Sequence, residues 1–147
     1  MAGMRRILFA SDFSKASGKA FATALTMAQN NRATLMVLNV IAPMAPVSPD
    51  QYIGPETWQE LDRETRQWTK RKLTALTARA RKRGVRVVGL TADGSPAQQI
   101  VRVARSKRCD LIVIGTHGRT GLAKFFLGSV AGRVVSTASC PVLTVRG

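Results

Sequence analysis

The run Leu111-Ile-Val-Ile114 is short, β-branched and without a polar face, and Gly115 follows it at once. A strand of that kind is covered on both sides, as in a parallel sheet. The stretch beyond it, from Gly115 and Gly118 through Gly121 to Gly128 and Ser129, sets flexible residues and a hydroxyl between the strand and a predicted helix. In open parallel sheets ligands sit beyond the carboxyl ends of the strands, and Gly115 and Gly118 let the backbone approach one closely. Gly128 and Ser129 then open the helix, where unpaired N–H groups and the helix dipole favour a phosphate. Taken singly, each glycine is explained by a tight turn and Ser129 by an N-cap. The ordered set points to phosphate, although it is neither a Walker A loop nor a G-x-G-x-x-G fingerprint.

Strand and helix signals alternate along the rest of the chain. Strands are predicted at 4–10, 34–41, 85–90, 111–114 and 142–145. Ser14 is read as the N-cap of a helix reaching residue 30, with Ala16, Ala20, Ala24, Leu25 and Ala28 as small apolar contacts. Pro55 suits the first turn of a long helix closed by Gly84, in which Trp58, Leu61, Thr65, Trp68, Leu73, Leu76 and Ala80 recur near helical period. Its tryptophans are read as core or dimer packing. Ser95-Pro96 opens a helix to about residue 107, and Gly128 opens the last one. Right-handed crossovers then predict an α/β fold, a doubly wound, Rossmann-like, five-stranded parallel sheet of order 3-2-1-4-5 with helices on both faces. The segment 42–54, with Pro43, Pro46, Pro49 and Gly54, is a loop at the ligand end, either a lid or a plain connection. A length of 147 residues with 45% hydrophobic content suits one domain over 1–147.

These residues resemble the universal stress protein family. Its ATP-binding signature, G-x-x-G, nine residues, then G-[S/T], is matched at Gly115, Gly118, Gly128 and Ser129. The opening Arg6-Ile-Leu-Phe-Ala-Ser-Asp12 and the closing Cys140-Pro-Val-Leu-Thr-Val145 look like the family's first and last strands, so the resemblance covers essentially the whole chain. It implies an ATP-binding module that pairs as a homodimer through its C-terminal strand, the alternative being an ordinary edge strand in a monomer. The nucleotide is read as carrying Mg²⁺ and acting as a signal, and the lack of a signal-peptide h-region or a membrane-length apolar stretch predicts a soluble cytoplasmic protein. The resemblance also implies that Ala10 and the backbone of Val40 border the adenine, that Ile114 packs on base or ribose, and that Val130 offers an amide to phosphate. The family often has Pro where this chain has Ala10, and Thr where it has Ala131.

Asp12, at the carboxyl end of the first strand, lies at the switch point of such a sheet. It is read as accepting from ribose or adenine, or helping to hold a divalent ion; the alternative is that it caps the first helix with Ser14. His117, the only histidine, has no nucleophile and orienting acid around it, so it is read as a hydrogen-bond donor to phosphate or sugar. Arg119 and Lys124 either neutralise phosphate or are solvated. One His and two scattered cysteines make no zinc set, and Cys109 and Cys140 are read as small buried thiols. Without an obvious general base, binding is favoured over turnover; slow ATP hydrolysis or phosphoryl or adenylyl transfer is the enzyme alternative.

Charge opens a third reading. Twenty-three Lys and Arg against eight Asp and Glu leave +15, much of it between residues 63 and 86, including Lys70, Arg71, Lys72, Arg79, Arg81, Lys82 and Arg83. Such a surface attracts polyanions, whether nucleic acid, acidic protein or anionic lipid, or is simply a solvated face. The 5% aromatic content and the lack of a recognition-helix, RRM or OB signature count against a dedicated nucleic-acid reader. No apolar stretch is long enough to cross a bilayer.

Overall fold

The computed structural model describes residues 3–43, 52–117 and 127–147. Nine elements follow one another: β1 (Arg6–Ala10), α1 (Ala16–Asn31), β2 (Thr34–Ile41), α2 (Pro55–Lys82), β3 (Arg86–Asp93), α3 (Pro96–Ser106), β4 (Leu111–Gly115), α4 (Ser129–Thr137) and β5 (Val142–Val145). The strands form one sheet of order β3-β2-β1-β4-β5, every pair parallel, as the sequence predicts.

The apolar runs make the centre of this sheet. Ile7, Leu8, Phe9, Leu35, Val37, Leu38, Ile112 and Val113 are wholly excluded from solvent, so β1, β2 and β4 are covered on both faces. On one side Ile7, Phe9, Leu35, Val37 and Val113 pack against Ala20, Phe21, Ala24 and Ala28 of α1 and Leu73 and Ala80 of α2. Alanines at those α1 positions bring the helix close to the sheet, and Phe21 meets Phe9 with ring centroids 5.5 Å apart. On the other side Leu8, Leu38, Ile112 and Ile114 pack with Ile100 and Val103 of α3 and Ala131 and Val134 of α4.

Several boundaries differ from the sequence reading. β3 runs three residues past 90 because Thr91, Ala92 and Asp93 continue the ladder with Asn39, Val40 and Ile41, although Thr-Ala-Asp carries no apolar run. α1 begins at Ala16 with Lys15 in the cap position; Ser14 still accepts the Ser17 N–H through its hydroxyl at 3.2 Å. α2 buries only Thr69, Leu73, Thr77 and Ala80, all in its carboxyl-terminal part. Trp58, Leu61 and Thr65 are half-buried, and Trp68 meets Phe13 edge-on at 5.4 Å. Cys109 is buried and its thiol is pushed up to about 11 by desolvation, which keeps it protonated at neutral pH; Cys140 is half-buried and shifted the same way by the same cause. Among the described residues no helix is long and apolar enough to cross a membrane.

Asp110 fastens the start of β1 to β4. Its Oδ2 accepts the N–H of Arg5 at 2.8 Å and of Arg6 at 3.0 Å, and those two donors hold the carboxyl below its usual pKa. A depressed folded-state pKa stabilises fully above the unfolded value of about 3.9 and is lost as pH falls through the lower folded value. Asp110→Ala is therefore expected to cost about 1 kcal/mol in denaturant unfolding at neutral pH. The difference from wild type should vanish in acid, below the carboxylate range.

Candidate functional site

β1 pairs with β2 on one side and β4 on the other, and the helices that follow them, α1 and α4, pack on opposite faces of the sheet. A cavity of about 300 Å³ opens at the carboxyl ends of these strands. One wall is apolar: Ala10 and Ile114 from the central strands, Leu38 and Val40 from β2, and Pro96 and Ile100 from α3. The opposite end is polar, with Asp12, Ser17, Thr116, His117 and the first turn of α4.

Backbone bonds hold that polar end in shape. Gly128 donates its N–H to the Thr116 carbonyl at 2.7 Å, tying the start of α4 to the end of β4. A Cβ on Gly128 would stand 2.8 Å from that carbonyl oxygen, so close approach, and not a positive φ, demands glycine here. The first bond within α4 runs from the Gly132 N–H to the Gly128 carbonyl at 2.8 Å. The amides of Ser129, Val130 and Ala131, one turn earlier, have no carbonyl behind them in the helix, and all three residues line the cavity. The Thr116 hydroxyl lies 2.8 Å from His117 Nδ1.

The β1–α1 loop closes the other flank. Asp12 lines the cavity while its Oδ1 accepts the Ser14 N–H at 2.9 Å, so the ligand-facing and loop-capping readings of this residue coexist. Ser11 Oγ accepts from Phe13 N–H at 3.0 Å and lies 3.5 Å from Ser17 Oγ. Phe13 itself has φ 63°, a left-handed conformation costly for an aromatic residue, which these bonds and its contact with Trp68 stabilise. From β2, Asn39 is buried and donates through Nδ2 to the Ser11 carbonyl at 2.9 Å.

Of the residues singled out from the sequence, the cavity brings together Ala10, Asp12, Val40, Ile114, Gly115, His117, Gly128, Ser129 and Val130. Gly118, Arg119 and Lys124 lie outside the described residues, as do 44–51 of the candidate lid. Ser11, Ser17, Asn39 and Thr116 were not anticipated. Asn39 had a readable signal, being the lone amide in the run Leu35-Met-Val-Leu-Asn-Val-Ile41, near the carboxyl end of its strand. The hydroxyls had none, since serine and threonine beside glycine read equally well as turn.

Fold and cavity together define the class, a doubly wound α/β protein with its site at the switch point of the sheet. The profile of the Universal stress protein family matches residues 3–146, and the chain belongs to that family. It is 34% identical over 143 residues to universal stress protein MJ0531 of Methanocaldococcus jannaschii, covering 97% of this chain and 82% of that one. With YxiE of Bacillus subtilis it shares 31% over 145 residues, 96% of this chain and 98% of the relative. Its backbone superimposes on hypothetical protein MJ0577 with a TM-score of 0.85 at 26% identity, over 98% of this chain and 96% of the other. More distant in sequence, sharing the fold, are an Arabidopsis thaliana family member solved with AMP bound (TM-score 0.69, 20% identity, 97% and 92% covered) and an Archaeoglobus fulgidus protein solved with dAMP (0.65, 22%, 99% and 100%).

Gly115 and Gly128 are expected to differ in tolerance. Gly128→Ala forces Cβ against the Thr116 carbonyl and should cost about 1–3 kcal/mol of unfolding free energy. Gly115→Ala would place its Cβ no nearer than 3.6 Å to the His117 carbonyl oxygen, an ordinary contact, and should cost less than half as much in the same denaturant titration.

Proposed function

We propose that the chain binds ATP, or a closely related adenine nucleotide, in this cavity and acts as a binding and regulatory module. The observation that carries the reading is the pairing, within one cavity, of an apolar slot with the open amino terminus of α4. A purine ring fits between Ala10, Val40 and Ile114, while phosphates meet the amides of Ser129 and Val130 and the Ser129 hydroxyl. Asp12 and His117 flank the space between them and serve the ribose and the phosphates. That proteins of the same fold have been solved with AMP and with dAMP supports an adenine nucleotide as the ligand.

Magnesium enters on the phosphates in this reading. Such an ion takes one or two carboxylates and completes its shell with phosphate oxygens and water, and Asp12 with the Ser129 hydroxyl fits that modest demand. Binding is favoured over turnover because Asp12 and His117 are the titratable side chains of the lining among the described residues, and Asp12 is already engaged with the Ser14 amide. The four half-buried residues of β5 form an open edge, and a second copy laid against it across a two-fold axis would cover it. Nucleotide-dependent pairing of this kind is the signal the module would deliver.

Isothermal titration of nucleotide-stripped protein with ATP and Mg²⁺ tests the reading. Saturable binding is expected, weakened about 10–100-fold by Gly128→Val with Ser129→Ala, which removes a hydroxyl and displaces the amides from charged phosphate oxygens. Asp12→Asn should weaken binding by a smaller factor. Stripped wild-type protein that takes up no adenine nucleotide would refute the assignment. Turnover abolished by Asp12→Asn would replace the module with an enzyme.

A further inference from the structure

The sheet gathers positive charge at the end opposite the cavity. Arg5 and Arg6 stand at the start of β1, Arg32 one turn before β2, and Lys107 and Arg108 in the turn into β4. Arg83 and Arg86 flank the turn into β3, so the basic stretch singled out from the sequence ends on this same edge. All seven are exposed. Register aligns Arg6 with Thr34 and Thr34 with Arg86, so these turns lie side by side on neighbouring strands about 4.8 Å apart.

Among the described residues little neutralises them. Asp110 is the one carboxylate in these turns, and it is occupied by the amides of Arg5 and Arg6. The ion pairs found among the described residues both belong to Arg66, with Asp62 and Asp93, elsewhere on α2 and β3. Arg6 even donates to the Lys107 carbonyl at 2.8 Å, which draws two cationic residues together.

Backbone geometry adds an independent observation. Arg32 and Arg108 have φ 52° and 53°, left-handed positions that end α1 and follow α3. Glycine adopts this conformation without steric cost, and the corresponding turn after α2 uses it, at Gly84 with φ 75°. At two of three equivalent turns the chain therefore carries a guanidinium where glycine is the easier residue.

We propose that this amino-terminal edge of the sheet binds the phosphate backbone of duplex nucleic acid, without reading sequence. Three spacings separate β3 from β4, an edge on the order of 15 Å, against which a duplex presents one negative charge per about 1.7 Å of axis. Among the described residues the exposed large apolar ones are Tyr52, Val88, Leu127 and Val135, none of them in these turns. A stable protein interface has an apolar core and a single strand calls for an aromatic platform, and these turns offer neither. A duplex keeps its bases stacked internally and offers phosphates alone. The edge lies a full strand length, about 16 Å, from the nucleotide cavity, so the two sites are separate.

The test is fluorescence anisotropy of the full chain with two labelled DNA duplexes of unrelated sequence, between about 50 and 200 mM salt. Equal affinity for both, log-linear loss with salt and no displacement by saturating ATP are expected. Arg32→Gly with Arg108→Gly should lower the slope of log K against log salt by about 2, and leave the melting temperature unchanged or higher. Arg5→Gln with Lys107→Gln, at positions without left-handed backbone, should lower the slope similarly. An unchanged slope in both pairs, tighter binding to a single strand, polyglutamate or anionic vesicles, or displacement by ATP would overturn the proposal.

Discussion

The pairing of β1 between β2 and β4 is the constraint from which the rest of the structure follows. Three strands excluded from solvent on both faces require helices above and below, and parallel pairing requires each connection to cross over the sheet. Because the crossovers on the two sides of β1 run to opposite faces, the described residues leave a space beyond its carboxyl end. The cavity is thus a consequence of topology, and the local sequence only decides its chemistry.

That chemistry is divided along the strand direction. At the carboxyl ends the chain places an apolar slot, a carboxylate and the amide-rich start of α4. At the amino ends it places six exposed arginines and Lys107 with one engaged carboxylate among them. A parallel sheet makes such polarity easy to build, because every strand begins on one edge and ends on the other. The positive edge also contributes a field that raises the local concentration of anions around the whole molecule.

Much of this was legible in the residues. The apolar runs at Ile7–Ala10 and Leu111–Ile114, the proline at 55 and the glycines at 84 and 128 fixed element type and order, because each has a direct backbone or burial meaning. Element ends were less legible: β3 continues through Thr91 to Asp93 only because β2 is there to pair with it. In α2 the apolar period overstated burial, since the helix outruns the sheet and its buried face includes Thr69 and Thr77. In the site, Asp12, Gly128 and Ser129 followed from position relative to a strand or helix. Ser11 and Thr116 did not, because their role depends on contacts between residues brought together by the fold: Ser11 with Ser17, and Thr116 with the distant Gly128. The gathering of Arg5, Arg32 and Arg108 on one edge follows from strand order, whereas the left-handed backbone of Arg32 and Arg108 had no signal in residue type, since glycine is the residue that marks such positions.

The most direct measurement is a two-dimensional amide NMR spectrum of the labelled protein recorded with and without ATP and Mg²⁺. Shifts concentrated at Ser11 and Asp12, Asn39 and Val40, Thr116 and His117, and Ser129 to Ala131 are the result expected of nucleotide held at the switch point. Shifts confined to Arg32, Arg83, Arg86 and Arg108 at the opposite edge, or no shifts at all, would contradict it.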